Sequence, residues 1–118
     1  MPRDDSVYIE HMFDLARRAE AKVAGCSRAA FDADENLRLA VTHLLQVIGE
    51  AARRVSEDFQ TGHPEVPWKA IIGMRHKVVH DYLDVDEDVV WNTATSELPQ
   101  LIEMLEPLAP PADQTQTE

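Results

Sequence analysis

Leu37-Arg38-Leu39-Ala40-Val41-Thr42-His43-Leu44-Leu45-Gln46-Val47-Ile48-Gly49-Glu50-Ala51-Ala52 is the stretch whose reading decides the fold. Leu37, Ala40, Val41, Leu44, Leu45, Ile48, Ala51 and Ala52 recur at three- and four-residue intervals, the period of a helix with one face in a core. Val55 and Phe59 prolong the stripe, so the spacing predicts one helix from about Asp34 to Gln60, ended by Gly62 and Pro64. The stripe is broader than one neighbouring helix covers, and a second copy of the chain is the economical cover. Gly49 lowers helix stability where it stands, and the expected reason is a close approach by another helix.

Three further helices flank this one. Val7, Ile9, Met12, Phe13, Ala16, Ala19 and Val23 predict a helix from about Ser6 to Gly25, with Asp4, Asp5 or Ser6 as its cap and Gly25 as its stop. Pro67 suits the first turn of a third helix, in which Trp68, Ile71, Ile72, Val78 and Val79 read as mostly buried. Asp86 caps a fourth, with Glu87 and Asp88 against its positive end and Val85 and Val90 spaced as a hydrophobic staple. Pro99 should kink or interrupt that helix, while Leu98, Leu101, Ile102 and Leu105 continue its apolar side. No stretch reads as a convincing strand. The expectation is an all-α, antiparallel four-helix bundle over residues 1–108, followed by a disordered Pro/Gln/Thr/Glu tail over 109–118.

A chain of 118 residues suits one domain that buries about two-thirds of its unfolded surface. No apolar run reaches the ~20 residues that span a bilayer, and no signal peptide opens the chain, so a cytoplasmic protein without a membrane partner is expected. Cys26 is the single cysteine, which agrees with a reducing compartment. The net charge of -11 argues against general nucleic-acid binding, which depends on Lys and Arg neutralising phosphates. One window departs from it: Val66 to His80 holds no acidic residue but carries Lys69, Arg75 and Lys77, before Asp81, Asp84, Asp86, Glu87 and Asp88 follow. A confined pocket there can still accept a phosphate.

That window contains Arg75-His76-Lys77-Val78-Val79-His80-Asp81-Tyr82. Arginine offers a permanent fork for phosphate, and neutral histidine exchanges a proton near pH 7. His80 is a candidate general base or acid toward a ribose 2′-hydroxyl, and Arg75 a candidate stabiliser of charge growing on phosphoryl oxygens. On an ideal helix the two stand about 140° apart. Joining them needs the arginine to reach round, the helix to loosen near His80, or a second subunit to complete the pocket. The bland alternative is a histidine and an arginine that cap or salt-bridge the helix end. His76 and His80, at i and i+4, also admit a zinc reading, but the intervening glutamate and a third ligand are missing, and no metal or other cofactor is expected. Trp68 and Trp91 read as core aromatics, and Arg17-Arg18 and Arg53-Arg54 as solvated helix faces with a lesser chance of guiding RNA or a partner. Glu50 reads as solvated, with a smaller chance of facing Arg75.

Arg-x4-His-x-Tyr over Arg75–Tyr82 resembles the signature of the HEPN superfamily, in its HepT-like toxin branch. Val47–Arg54, Pro67–Tyr82, Val85-Asp86, Val90-Trp91 and Leu98-Pro99 extend the likeness over roughly residues 5–106. The resemblance implies a dimerising all-α bundle in which the Arg/His pairs of two chains meet in a cleft. Arg75 and His80 would then be the catalytic pair of a metal-independent endoribonuclease that leaves a cyclic phosphate, with His76, Lys77 and Asp81 supporting the site. His76 stands where the family has another polar residue, often asparagine, so either histidine is a candidate for the proton-transfer role. The implied partner is a cognate nucleotidyltransferase antitoxin that moves AMP from ATP onto Tyr82, placing negative phosphate beside Arg75 and switching the toxin off. A non-catalytic module, holding a nucleotide or that partner through Arg75 and Tyr82, is the competing reading.

Overall fold

The computed structural model describes residues 4–109 apart from 82 and 83, with the side chains of His80 and Asp81 also outside the description. Eight α-helices and one π-helical turn carry most of the described chain, so the all-α bundle expected from the sequence is the architecture found. Helix α1, Asp5–Val23, packs chiefly on α3, Glu35–Arg53. Asp5, at the start of α1, accepts hydrogen bonds from the Ser56 N–H at 2.8 Å and the Ser56 hydroxyl at 2.7 Å, just past the end of α3. The two helices are therefore antiparallel. Ile9, Met12, Ala16 and Ala19 of α1 meet Val41, Leu45, Ile48 and Ala52 of α3 in a fully buried core. Gly25 adopts φ +73°, the left-handed conformation expected of the residue that stops the first helix.

A short helix α2, Arg28–Ala33, lies between them, in addition to the four helices that the apolar pattern predicts. Ser27 caps it by accepting the Ala30 N–H at 3.1 Å, and Phe31 is wholly buried. Asp34 then ends α2 and starts α3, its carboxylate accepting the Leu37 N–H at 3.1 Å.

The long second helix ends earlier than its apolar stripe suggests. Helix α3 stops at Arg53, and α4, Glu57–Gly62, begins after a bend. Ser56 is extended there, and its hydroxyl accepts the Phe59 N–H at 3.1 Å. This cap, fixed by Asp5, terminates the run although Val55 is buried and Phe59 packs on the core. Phe59 also meets Trp68 edge-on at 6.1 Å, while the Trp68 indole N–H donates to the His63 carbonyl at 2.9 Å.

The third expected helix is also divided. Helix α5, Trp68–Ile72, and α6, Met74–Val78, are separated at Gly73. Val79–Asp81 (β1) and Asp84–Val85 (β2) then pair antiparallel, with Val79 opposite Val85 and Asp81 opposite Asp84. The apolar pattern predicts no strand here. The Asp86 N–H donates to the Val78 carbonyl at 2.8 Å, so a side-to-side ladder replaces the next helical turn.

Helix α7, Glu87–Asn92, carries the expected Asp86 cap, whose carboxylate accepts the Val89 N–H at 3.2 Å. Arg28–Asp88 at 2.8 Å and Arg38–Glu87 at 3.4 Å tie its start to α2 and α3. A π-helical turn, Thr93–Glu97, leads into α8, Leu98–Leu105. The Leu98 N–H returns to the Thr93 carbonyl, and this wider turn accommodates Pro99, which has no N–H to offer Thr95. Pro99 thus interrupts the fourth helix, as its position predicts. Among the described residues no helix is long and apolar enough to cross a membrane. Residues 110–118 of the expected tail lie outside the described residues.

Candidate active site

Helix α6 presents the motif by burying its two ends. Met74 and Val78 are in the core, which leaves Arg75, His76 and Lys77 exposed. Its seat against α3 depends on Gly49, because a Cβ there would stand 2.9 Å from the Ile71 carbonyl oxygen and 3.9 Å from the Met74 Cβ. The close approach expected of Gly49 is therefore present, and its partners are α5 and α6.

This contact places Arg75 in the field of Glu50. The Arg53 guanidinium, 2.6 Å from the Glu50 carboxylate, holds Glu50 below the usual carboxylate range, and the charges of Arg54 and Arg75 add to the effect. Glu50 is thus partly exposed, paired with Arg53, shares a hollow with Arg54 and feels the charge of Arg75. In the sequence Glu50 looks like an ordinary solvated carboxylate, and the signal that identifies it is its neighbour Gly49. Arg75 makes no ion pair with any described side chain. Lys77 is about 160° from Arg75 around an ideal helix. Its ammonium lies 3.9 Å from Glu97 and borders a separate hollow between α5–α6 and α8. The structure brings Arg75 toward α3 and Lys77 toward α8.

The angular obstacle between Arg75 and His80 disappears with the helix. Helix α6 ends at Val78, and Val79 is extended at φ -128°, ψ 109°. The His80 backbone therefore lies in β1, and helical periodicity no longer separates it from Arg75. The side chains of His80 and Asp81 and all of Tyr82 lie outside the description. Among the described residues no three His, Cys, Asp or Glu side chains gather as metal ligands. Trp68 is buried, as expected of a core aromatic, whereas Trp91 is half-buried against Phe31 at 5.1 Å. Arg17, Arg18, Arg53 and Arg54 are exposed, in keeping with solvated helix faces.

Comparison with known proteins bears on the same segment. The family described as "Ribonuclease HepT-like" matches residues 12–108. A protein of Caldanaerobacter subterraneus subsp. tengcongensis named "Putative RNase" is 36% identical over 94 residues, covering 80% of this chain and 84% of that protein. "Probable ribonuclease HepT" of Thermococcus cleftensis is 33% identical over 101 residues, covering 86% of this chain and 92% of its own length. No solved structure matches. The match takes in the Gly49 contact, the exposed Arg75 and the end of α6, and the chain belongs to the HepT-like ribonuclease family.

Proposed function

We propose that this chain is a metal-independent endoribonuclease, working as a homodimer and serving as the toxin of a toxin–antitoxin pair of the type II or type VII kind. The observation that carries the reading is the end of α6 at Val78, which frees the His80 backbone from the helix while Arg75 stands exposed three residues earlier. Membership of a ribonuclease family supports the choice of RNA as substrate.

His80 takes the proton from a ribose 2′-hydroxyl, and that oxygen attacks the adjacent phosphorus. The bond to the 5′-oxygen breaks, the leaving oxygen is protonated, and a 2′,3′-cyclic phosphate remains. Arg75 binds the phosphoryl oxygens and stabilises the charge they gain. His76, Lys77 and Asp81 supply polarity and field around this centre. A cognate nucleotidyltransferase silences it by attaching AMP to Tyr82: the tyrosine oxygen displaces pyrophosphate from ATP, and the new phosphodiester's charge competes for Arg75.

The test is purified protein incubated with RNA in EDTA, beside Arg75→Ala, His76→Ala and His80→Ala. Cutting that is lost with Arg75 and His80 and retained with His76 supports the assignment. Intact RNA in every tube, with tight binding of a nucleotidyltransferase, supports the non-catalytic module instead. Intact mass of the chain made with and without the enzyme encoded beside it reads Tyr82 modification as a fixed increment, and no increment rejects that part.

A further inference from the structure

Carboxylates outnumber Lys and Arg by 22 to 11 in the whole chain, yet in the channel between α1 and α3 the cations are in excess. Two shallow hollows of ≈ 400 and ≈ 460 Å³ lie along it. In the first, Tyr8 and His11 of α1 stand across from Glu50 of α3 and Arg54, which caps its end. In the second, Arg18 and Lys22 stand across from His43. Three cations and two imidazoles thus face two carboxylates, Glu50 and Asp14, and Arg53 already occupies Glu50 at 2.6 Å. Arg18 shares its charge with Asp14 at 3.0 Å. Leu15, Leu44 and Val47, all half-buried, provide an apolar floor between the charges.

The hollows are in line because α1 and α3 are antiparallel, and Tyr8 to Lys22 spans about 21 Å of helix. The Tyr8 end opens at Glu50, which lies in the field of Arg75. The geometry points to this channel as the track along which single-stranded RNA reaches the Arg75 centre. The identity of the polymer rests on the ribonuclease reading above. Phosphates pair with Lys22, Arg54 and the free share of Arg18, and unpaired bases lie on the Tyr8 ring and the leucine and valine floor. A duplex keeps its base faces stacked inside and cannot use that floor. A second copy of the chain is the weaker occupant, since a symmetric contact would set one cationic surface against an identical one.

The test measures binding of a labelled, unstructured oligouridylate to the His80→Ala chain over a salt series. One background adds Lys22→Gln and Arg54→Gln. The other adds Arg17→Gln and Arg28→Gln, which change net charge equally at positions that line neither hollow. The channel pair should weaken binding about tenfold at low salt and flatten the plot of log affinity against log salt by about 1.4, the value for two lost phosphate contacts on a single strand. The control pair should move both much less. Equal losses in the two backgrounds would overturn the proposal, and so would unchanged RNA affinity together with a changed mass by light scattering, the mark of an interface between copies. Cleavage of a dinucleotide by chains that retain His80 judges the ribonuclease reading separately, because so short a substrate needs the Arg75/His80 centre and not the channel.

Discussion

The α-carbon of Gly49 lies so close to the Ile71 carbonyl that an added Cβ would come within 2.9 Å of that oxygen. A flexible side chain can yield to such a contact, but a helical carbonyl cannot move without its helix. Gly49→Ala gains about 1 kcal/mol of helix propensity. Against it stands an overpacking cost of about 1–3 kcal/mol, because α5 and α6 must shift away from α3. The expected outcome is a net loss of stability on the order of 1 kcal/mol and a lower Tm by thermal unfolding. RNA cutting should fall further than stability does, since the displaced segment carries Arg75.

Ser56 holds two elements at once, capping α4 through Phe59 and meeting both oxygens of Asp5. Ser56→Ala removes the hydroxyl from both contacts and should cost about 1–2 kcal/mol in denaturant unfolding. Asp5→Asn, which retains acceptor capacity but loses charge, should cost less. Equal losses would show that the cap on α4 contributes little.

The Arg53–Glu50 pair has a defined pH signature. Glu50 is held below its ordinary pKa in the folded chain, so its contribution to stability is present above the unfolded value and is lost as pH falls through the folded one. Arg53→Ala removes the principal cause, and the Glu50 carboxyl resonance should titrate at higher pH. Arg75→Ala should move it in the same direction by less. No movement in either variant would place both guanidiniums too far from Glu50 to act.

Within the proposed reaction, His80→Ala should lower the cutting rate by about 10²–10⁴-fold and Arg75→Ala by about 10²–10³-fold. Arg75→Lys should restore only part of the loss, because an ammonium cannot grip two phosphoryl oxygens as a planar fork does. Lys77 faces Glu97 and not Glu50, so Lys77→Ala should reduce cutting only severalfold, through the general field. A Lys77 effect as large as that of Arg75 would relocate the phosphate site toward α8.

Much of this molecule was legible from side-chain pattern alone. The stripe through Leu37–Ala52 required a long buried helix, Gly25 a stop, Asp86 a cap and Pro99 an interruption, and each acts locally in the fold as its chemistry demands. Gly49 announced a close neighbour because glycine within a helix is otherwise unfavourable. The sequence likewise placed Arg75 and His80 in a window free of carboxylates.

Helix ends depended on partners far along the chain. Ser56 could have continued an apolar run, and it became a cap because Asp5, 51 residues away, fixes it. Val79 reads equally well as helix or strand, and pairing with Val85 together with the Asp86–Val78 hydrogen bond settled it as strand. Likewise, only packing of α6 against α3 let the charge of Arg75 act on Glu50 while turning Lys77 toward Glu97. Periodicity records which face of an element is apolar; hydrogen bonds and charges between distant residues decide where the element stops and what its polar face meets.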